Sequence, residues 1–230
     1  MEYILNGFNS AFNLIFTLDK EFISIVSVSV RISLISTILA GLFGIPLGMW
    51  IGTGKFKGRK FMAVVLNTLM SLPTVVIGLT VYSFISRKGP MGNLGLLFTP
   101  TAMIIGQFIL AFPIVAGISM GGIKNLGDSP LIASRLLGAG GFESMIIFLK
   151  EARFIIMTSI IAGFGRVFSE VGVSMMLGGN IRFYTRNITT AIALETSRGE
   201  FALSLALGIV LLVIAFIVNM ILYRFQGKDT

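Results

Sequence analysis

Three stretches of this chain carry no charged side chain over twenty or more residues: 32 to 51, 61 to 86 and 201 to 223. About 20 mostly apolar residues in helical form cross the ~30 Å hydrocarbon layer of a bilayer, so each stretch predicts a transmembrane helix. Residues 89 to 123 are also uncharged, but Gly89, Pro90, Gly92, Asn93, Gly95 and Pro100 punctuate the first part as loop, leaving a span over about 101 to 121. A fifth span, 153 to 177, is long enough but carries Arg166 and Glu170. The expectation is an all-α integral membrane protein forming a single transmembrane domain over 1 to 230, with spans at about 22 to 51, 60 to 87, 101 to 121, 153 to 177 and 201 to 223. A six-span count, with 187 to 197 as a short extra helix, is the competing topology.

Composition agrees with lipid as the solvent. Of 230 residues, 55% are hydrophobic and 12% charged, about half the charged share of a soluble domain. The chain has no Cys and no His, which removes thiol and imidazole catalysis, disulfides and the usual zinc ligand sets. No metal site, catalytic residue or bound cofactor is therefore expected. The net charge of +8 reads as loop charge rather than as a nucleic-acid surface.

Lys and Arg set the expected orientation. One face of a five-span chain collects Lys55, Lys57, Arg59, Lys60, Lys124, Arg135, Lys150, Arg153, Arg224 and Lys228; the other collects Lys20, Arg31, Arg87, Lys88, Arg182, Arg186 and Arg198. The richer face is cytoplasmic by the positive-inside rule, so the N-terminus lies outside and the C-terminus inside. Ahead of the first span, Ile4, Leu5, Phe8, Phe12, Ile15 and Phe16 recur at helical spacing and predict a helix lying in the outer lipid interface.

Small residues mark where membrane helices can touch. Ala40, Gly44, Gly48 and Gly52 form one stripe at intervals of four, and Gly117 and Gly121 a second. Either a subunit interface or packing within one chain would use them. Pro46, Pro73 and Pro113 lie inside spans and permit kinks.

The segment 124 to 151 predicts a short capped helix in a cytoplasmic loop. Ser129 suits the cap, Pro130 the first turn and Gly138 a left-handed end. Leu131, Ile132, Ala133, Leu136 and Leu137 are too apolar for an aqueous loop and call for a groove on another protein. The same helix would equally suit a position flat on the membrane or folded under its own bundle. Arg166 and Glu170, four apart, share a helix face and neutralise each other, either as an internal lock or as part of a pathway; Ser169 and Ser174 flank them. Gly178, Gly179 and Asn180 predict an abrupt helix end and a candidate gate. Beyond it, Arg182, Arg186 and Arg198 suit docking of acidic groups, or drawing in an anion, and 187 to 197 a re-entrant or interfacial helix.

These residues resemble a family. Ile132, Ala133, Ser134, Arg135, Leu136, Leu137, Gly138 and Ala139 fall on the coupling-loop pattern of binding-protein-dependent ABC importer permeases, matching at Ala133, Gly138 and Ala139, with Ile132 where that pattern has Glu and Ser134 where it has Ala. Residues 165 to 208, together with 71 to 79 and 137 to 140, are similar to the oxyanion branch, most of all to tungstate-type permeases. The resemblance implies a homodimeric pore in a bacterial or archaeal plasma membrane, a cytoplasmic ABC ATPase carrying ATP and Mg and docked on Leu131 to Ala139, and an extracytoplasmic oxyanion-binding protein. The chain has no phosphate-binding loop of its own, since Met49 and Phe56 stand where Gly and Ser or Thr would be required around Gly54-Lys55. An anion channel or secondary carrier without an ATPase is the rival reading, and a membrane-embedded enzyme a third.

Overall fold

The computed structural model describes Phe12, residues 20 to 127 and residues 129 to 226. The interfacial helix expected before the first span, Phe12 apart, and Lys228 of the tail lie outside them. Among the described residues there are ten α-helices and no strand: α1 (Lys20–Thr53), α2 (Arg59–Met70), α3 (Thr74–Ile85), α4 (Pro100–Leu126), α5 (Ser129–Leu136), α6 (Gly141–Glu151), α7 (Arg153–Phe168), α8 (Gly172–Gly178), α9 (Ile188–Ser197) and α10 (Phe201–Gln226).

Three of these helices are long and apolar enough to cross a bilayer singly: α1, α4 and Leu203–Ile221 within α10. The other two expected spans are broken. α2 and α3 meet at 96° and α7 and α8 at 60°, and each pair passes the length and hydropathy test together, giving up to five crossings. The first break falls at Ser71, Leu72 and Pro73, where Pro73 in extended conformation cannot continue a helix. Pro46 and Pro113, by contrast, sit within continuous helices.

α4 is the central helix, packed on α1, α2, α3, α7 and α8. Its contact with α1 explains the glycine stripe. A Cβ at Gly48 would lie 2.5 Å from the Ala116 carbonyl oxygen, and one at Gly52 2.9 Å from Ile123 Cγ2. The stripe is thus spent inside the chain, where bare backbone lets two helices approach without a hydrophobic drive. Gly117 packs on Met70, whereas Gly121 faces open space. At the C-terminal end of α1, the Arg59 guanidinium donates to the Gly52 carbonyl, placing a cation on the negative end of the helix and turning the chain into α2.

The periphery is apolar. Leu42, Trp50, Phe61, Leu212 and Phe216 are exposed, as lipid-facing positions require, while Ser29, Ser36, Gln107 and Ser119 are buried. α9 does not cross. Asn187 caps it, Oδ1 accepting from the Thr190 amide at 2.9 Å, and Ile188 and Ala191 join Phe22, Ile25, Phe164 and Phe168 in one apolar cluster. This is the short helix of the re-entrant or interfacial reading.

Candidate functional site

Three places carry the residues singled out from sequence. The first is the elbow between α5 and α6. α5 ends in a Schellman turn: Gly138 has φ 86°, its amide donates to Arg135 O at 3.0 Å, and the Ala139 amide donates to Ser134 O at 3.0 Å. Glu143 Oε2 then accepts from the Gly140 amide at 3.0 Å and starts α6. Ser129 is the first helical residue rather than a residue outside the helix.

One face of this elbow is fixed to the bundle. Leu131 packs against the buried cluster formed by Met49, Ile123, Phe148 and Ala152, and Ser134 is buried. These two residues hold the elbow in place and offer little surface, which corrects the expectation that all of its apolar side chains await a groove. The opposite face is free: Ile132, Leu136 and Leu137 are 56%, 82% and 89% exposed, and Phe142 at the start of α6 is 80% exposed. Ala133 and Arg135 are exposed beside them. Phe142 was missed by sequence reasoning, although it follows directly on the Gly138 to Gly141 turn and is too apolar for solvent.

The second place is the break between α7 and α8. Arg166 Nη1 meets Glu170 Oε2 at 3.1 Å, as the spacing predicted, but the helix does not continue through the pair. Glu170 is 4% exposed, and its Oε1 accepts from the Val173 amide at 3.2 Å, capping the first turn of α8. Its backbone carbonyl accepts from Thr189 Oγ1 at 2.8 Å, tying the break to α9. Ser169 is exposed and back-bonds to Gly165 O at 2.9 Å. Ser174 is fully buried and accepts from Gln107 Nε2 at 3.0 Å, so it cross-links α8 to α4. Gln107 was missed, and a lone amide in an otherwise apolar span was the signal for it.

We expect Glu170→Ala to cost about 1 to 3 kcal/mol, because it leaves the Val173 amide and a half-exposed guanidinium without their acceptor. Glu170→Gln, which can keep the cap, should cost less. Thermal unfolding of the two purified variants checks the order.

Beyond α8 the chain turns sharply. Gly178 rests on Met103 and Gly179 (φ 69°) on the Phe98 ring, while the Phe98 amide donates to Leu177 O at 2.9 Å. Asn180 (φ 52°) holds a buried Oδ1 with no hydrogen-bond partner among the described residues. Left-handed backbone at Phe98, Asn180 and Phe183 gathers strain in the loops around this helix end.

The third place holds the arginines. Arg182 Nη2 and Arg186 Nη1 both meet Glu21, at 2.5 and 2.8 Å, and Arg198 Nη1 meets Glu195 Oε1 at 3.2 Å. With Phe22, Ile25, Leu203 and Leu207 they line a cavity of about 470 Å³. Arg186 is largely buried and acts as a strut between α1 and the turn before α9, whereas Arg182 and Arg198 stay at the rim. Among the described residues no three His, Cys, Asp or Glu side chains gather to hold a metal.

Residues 44 to 228 match the family described as "binding-protein-dependent transport system inner membrane component". The tungstate uptake system permease protein TupB of Peptoclostridium acidaminophilum is 40% identical over 228 residues, covering 99% of this chain and all of the relative. The Campylobacter jejuni protein of the same name is 41% identical over 98% of this chain and 95% of its own. A probable anion ABC transporter permease of Haloferax volcanii is 36% identical over 90% and 91%. Among solved structures, a chain of the MetNI methionine ABC transporter in an inward-facing conformation superposes with a TM-score of 0.72 at 16% identity, over 90% of this chain and 95% of that one. A chain of a bacterial alginate ABC transporter, bound to a periplasmic protein carrying alginate pentasaccharide, gives 0.73 at 19%, over 100% and 91%. The two structures share the fold, the bent and continuous helices here supply the same kind of multi-pass bundle, and the sequence match runs nearly end to end: the chain belongs to the family of binding-protein-dependent transport system inner membrane components.

Proposed function

We propose that this permease subunit imports a tetrahedral oxyanion, tungstate, as a homodimer, with a cytoplasmic ABC ATPase on each elbow and an oxyanion-binding protein on the outer face. The observation that carries the coupling role is the unpartnered apolar face of Ile132, Leu136, Leu137 and Phe142 on an elbow whose other face is anchored through Leu131 and Ser134. A projecting helix with that division fits a helix-in-groove contact. The 40% identity to tungstate uptake permeases supports the substrate. ATP and Mg bind the partner ATPase, and this chain performs no bond-breaking step.

In this mechanism the N-terminus is outside and the C-terminus cytoplasmic, in a bacterial or archaeal plasma membrane, which agrees with the excess of Lys and Arg around 52 to 60 and 122 to 153. Closure of the ATPases pushes Leu131 to Ala139 as a rigid body, and α6 passes the displacement to α7. The break around Arg166, Ser169 and Glu170 absorbs the tilt, and α8, with Ser174, Gly178, Gly179 and Asn180, moves to open the pathway. Arg182 and Arg198 at the rim contact carboxylates of the docked binding protein, with Arg186 bracing them from beneath.

Reconstitution in proteoliposomes tests this. With ATPase and binding protein present, ATP drives tungstate accumulation, and the loaded binding protein raises ATP hydrolysis several-fold. Passive or ion-gradient-driven flux through the permease alone would establish the channel or carrier reading instead.

A further inference from the structure

Arg182, Arg186 and Arg198 each meet a carboxylate; Arg31 does not. It is exposed, and among the described residues it has no ion pair. Its height in the bundle follows from how α1 and α4 run side by side. Ser36 Oγ donates to Ile104 O at 3.2 Å, and Gly44, Gly48 and Gly52 meet Ala116, Ala116 with Ser119 and Met120, and Ile123 in turn. Both helices therefore advance together, and Pro100, four residues before Ile104, lies level with Ile32. The uncharged part of α1 from there to Thr53 is about 33 Å of helix, the thickness of the hydrocarbon layer. Arg31 stands at the edge of that layer, on the face the proposed function takes as outer.

Beside it is a cavity of about 560 Å³ between α1, the start of α4 and the turn before α9. Its polar lining is Ser24, Ser27, Arg31, Thr101 and Tyr184, with Phe183 beside them and no carboxylate among the described residues. Thr101 is in the first turn of α4, where its amide has no intrahelical acceptor, while Thr99 takes the amides of Ala102 and Met103. Phe183 (φ 60°) and the turn in which Ile181 O accepts from the amides of Tyr184, Thr185 and Arg186 set the two aromatic residues at the rim.

We infer that the Arg31 cavity binds a tetrahedral oxyanion group, either a free ion on its way to the pathway or the phosphate of an outer-leaflet lipid. A guanidinium with several hydroxyls around it, and no competing carboxylate among the described residues, offers charge-assisted and neutral donors to an anion. The inference rests on the importer reading only for which face of the membrane is involved.

The test uses the full chain with its ATPase in maltoside micelles, which contain no phosphate, and omits ATP. Sodium tungstate and inorganic phosphate are titrated by calorimetry, and retained phospholipid is read by native mass spectrometry. If the ligand is the free ion, Arg31→Gln weakens binding about tenfold or more and Arg31→Lys less. If it is the lipid, wild type carries a phospholipid through purification and Arg31→Gln loses it. Tyr184→Phe, expected to weaken the same signal about threefold, serves should Arg31→Gln fail to give monodisperse protein. Equal ion affinity and equal lipid retention in wild type and variants, or neither ligand on the wild type, overturns the inference. Loss of ATP-driven uptake in the wild type would instead count against the importer reading.

Discussion

Leu136→Asp with Leu137→Asp releases the ATPase from the purified complex and abolishes ATP-driven uptake, while the permease itself stays folded in the membrane. The reason is the asymmetry of the elbow. Both leucines are more than four-fifths exposed, so the folded chain loses almost nothing when they become polar. In a partner's groove each buries a surface worth about 1.5 to 3 kcal/mol, and an aspartate there must in addition be desolvated. Together that is a loss of about two orders of magnitude or more in affinity. Pull-down of the ATPase with tagged permease reads the first effect, and proteoliposome uptake the second. Leu131→Asp is the contrasting variant: the leucine packs against the buried Met49, Ile123, Phe148 and Ala152 cluster, so the change should lower the yield of folded permease before any question of docking arises. Retention of the ATPase by the double aspartate variant would move the docking surface away from the elbow. Phe142→Ala should weaken the complex alongside the leucines.

What could be read from sequence follows the range of the forces involved. The spans were legible because a run of twenty uncharged residues is a local property, and so was the end of α5, since Gly138 takes a left-handed conformation that few other residues accept. The break after Phe168 was not. Ser169, Glu170 and Val171 contain no helix breaker; the turn exists because Glu170 caps α8 and its carbonyl is held by Thr189, nineteen residues on. The pairing of Arg182 and Arg186 with Glu21 was not legible either, because the carboxylate is 161 and 165 residues away. By contrast Arg198 and Glu195 are three apart, and that pair was available from spacing alone. The bond from Gln107 to Ser174 joins two helices across 67 residues of sequence, which no local spacing could reveal.

The glycine stripe separates the two readings that sequence left open, and it carries the second large effect. Gly48→Val should prevent the permease from accumulating as a folded, monodisperse species. Its first added carbon would sit 2.5 Å from the Ala116 carbonyl oxygen and 2.8 Å from Ser119 Cβ. One of those is backbone of the central helix, which cannot swing aside, so α1 and α4 must separate along their whole contact. Overpacking against movable side chains costs about 1 to 3 kcal/mol; against backbone, and with two further methyl groups, the cost should exceed the upper end and consume much of a marginal stability. Gly121→Val is the control, because nothing lies within 4 Å of its Cβ position and the change should fall within about 0.5 kcal/mol. Fluorescence-detected size exclusion of the two variants gives the comparison. A stripe reserved for a second subunit would give a different result: Gly48→Val would then leave a folded monomer and remove only the dimer, and the close approach of α1 to α4 would lose its role as the contact that the rest of the bundle is built around.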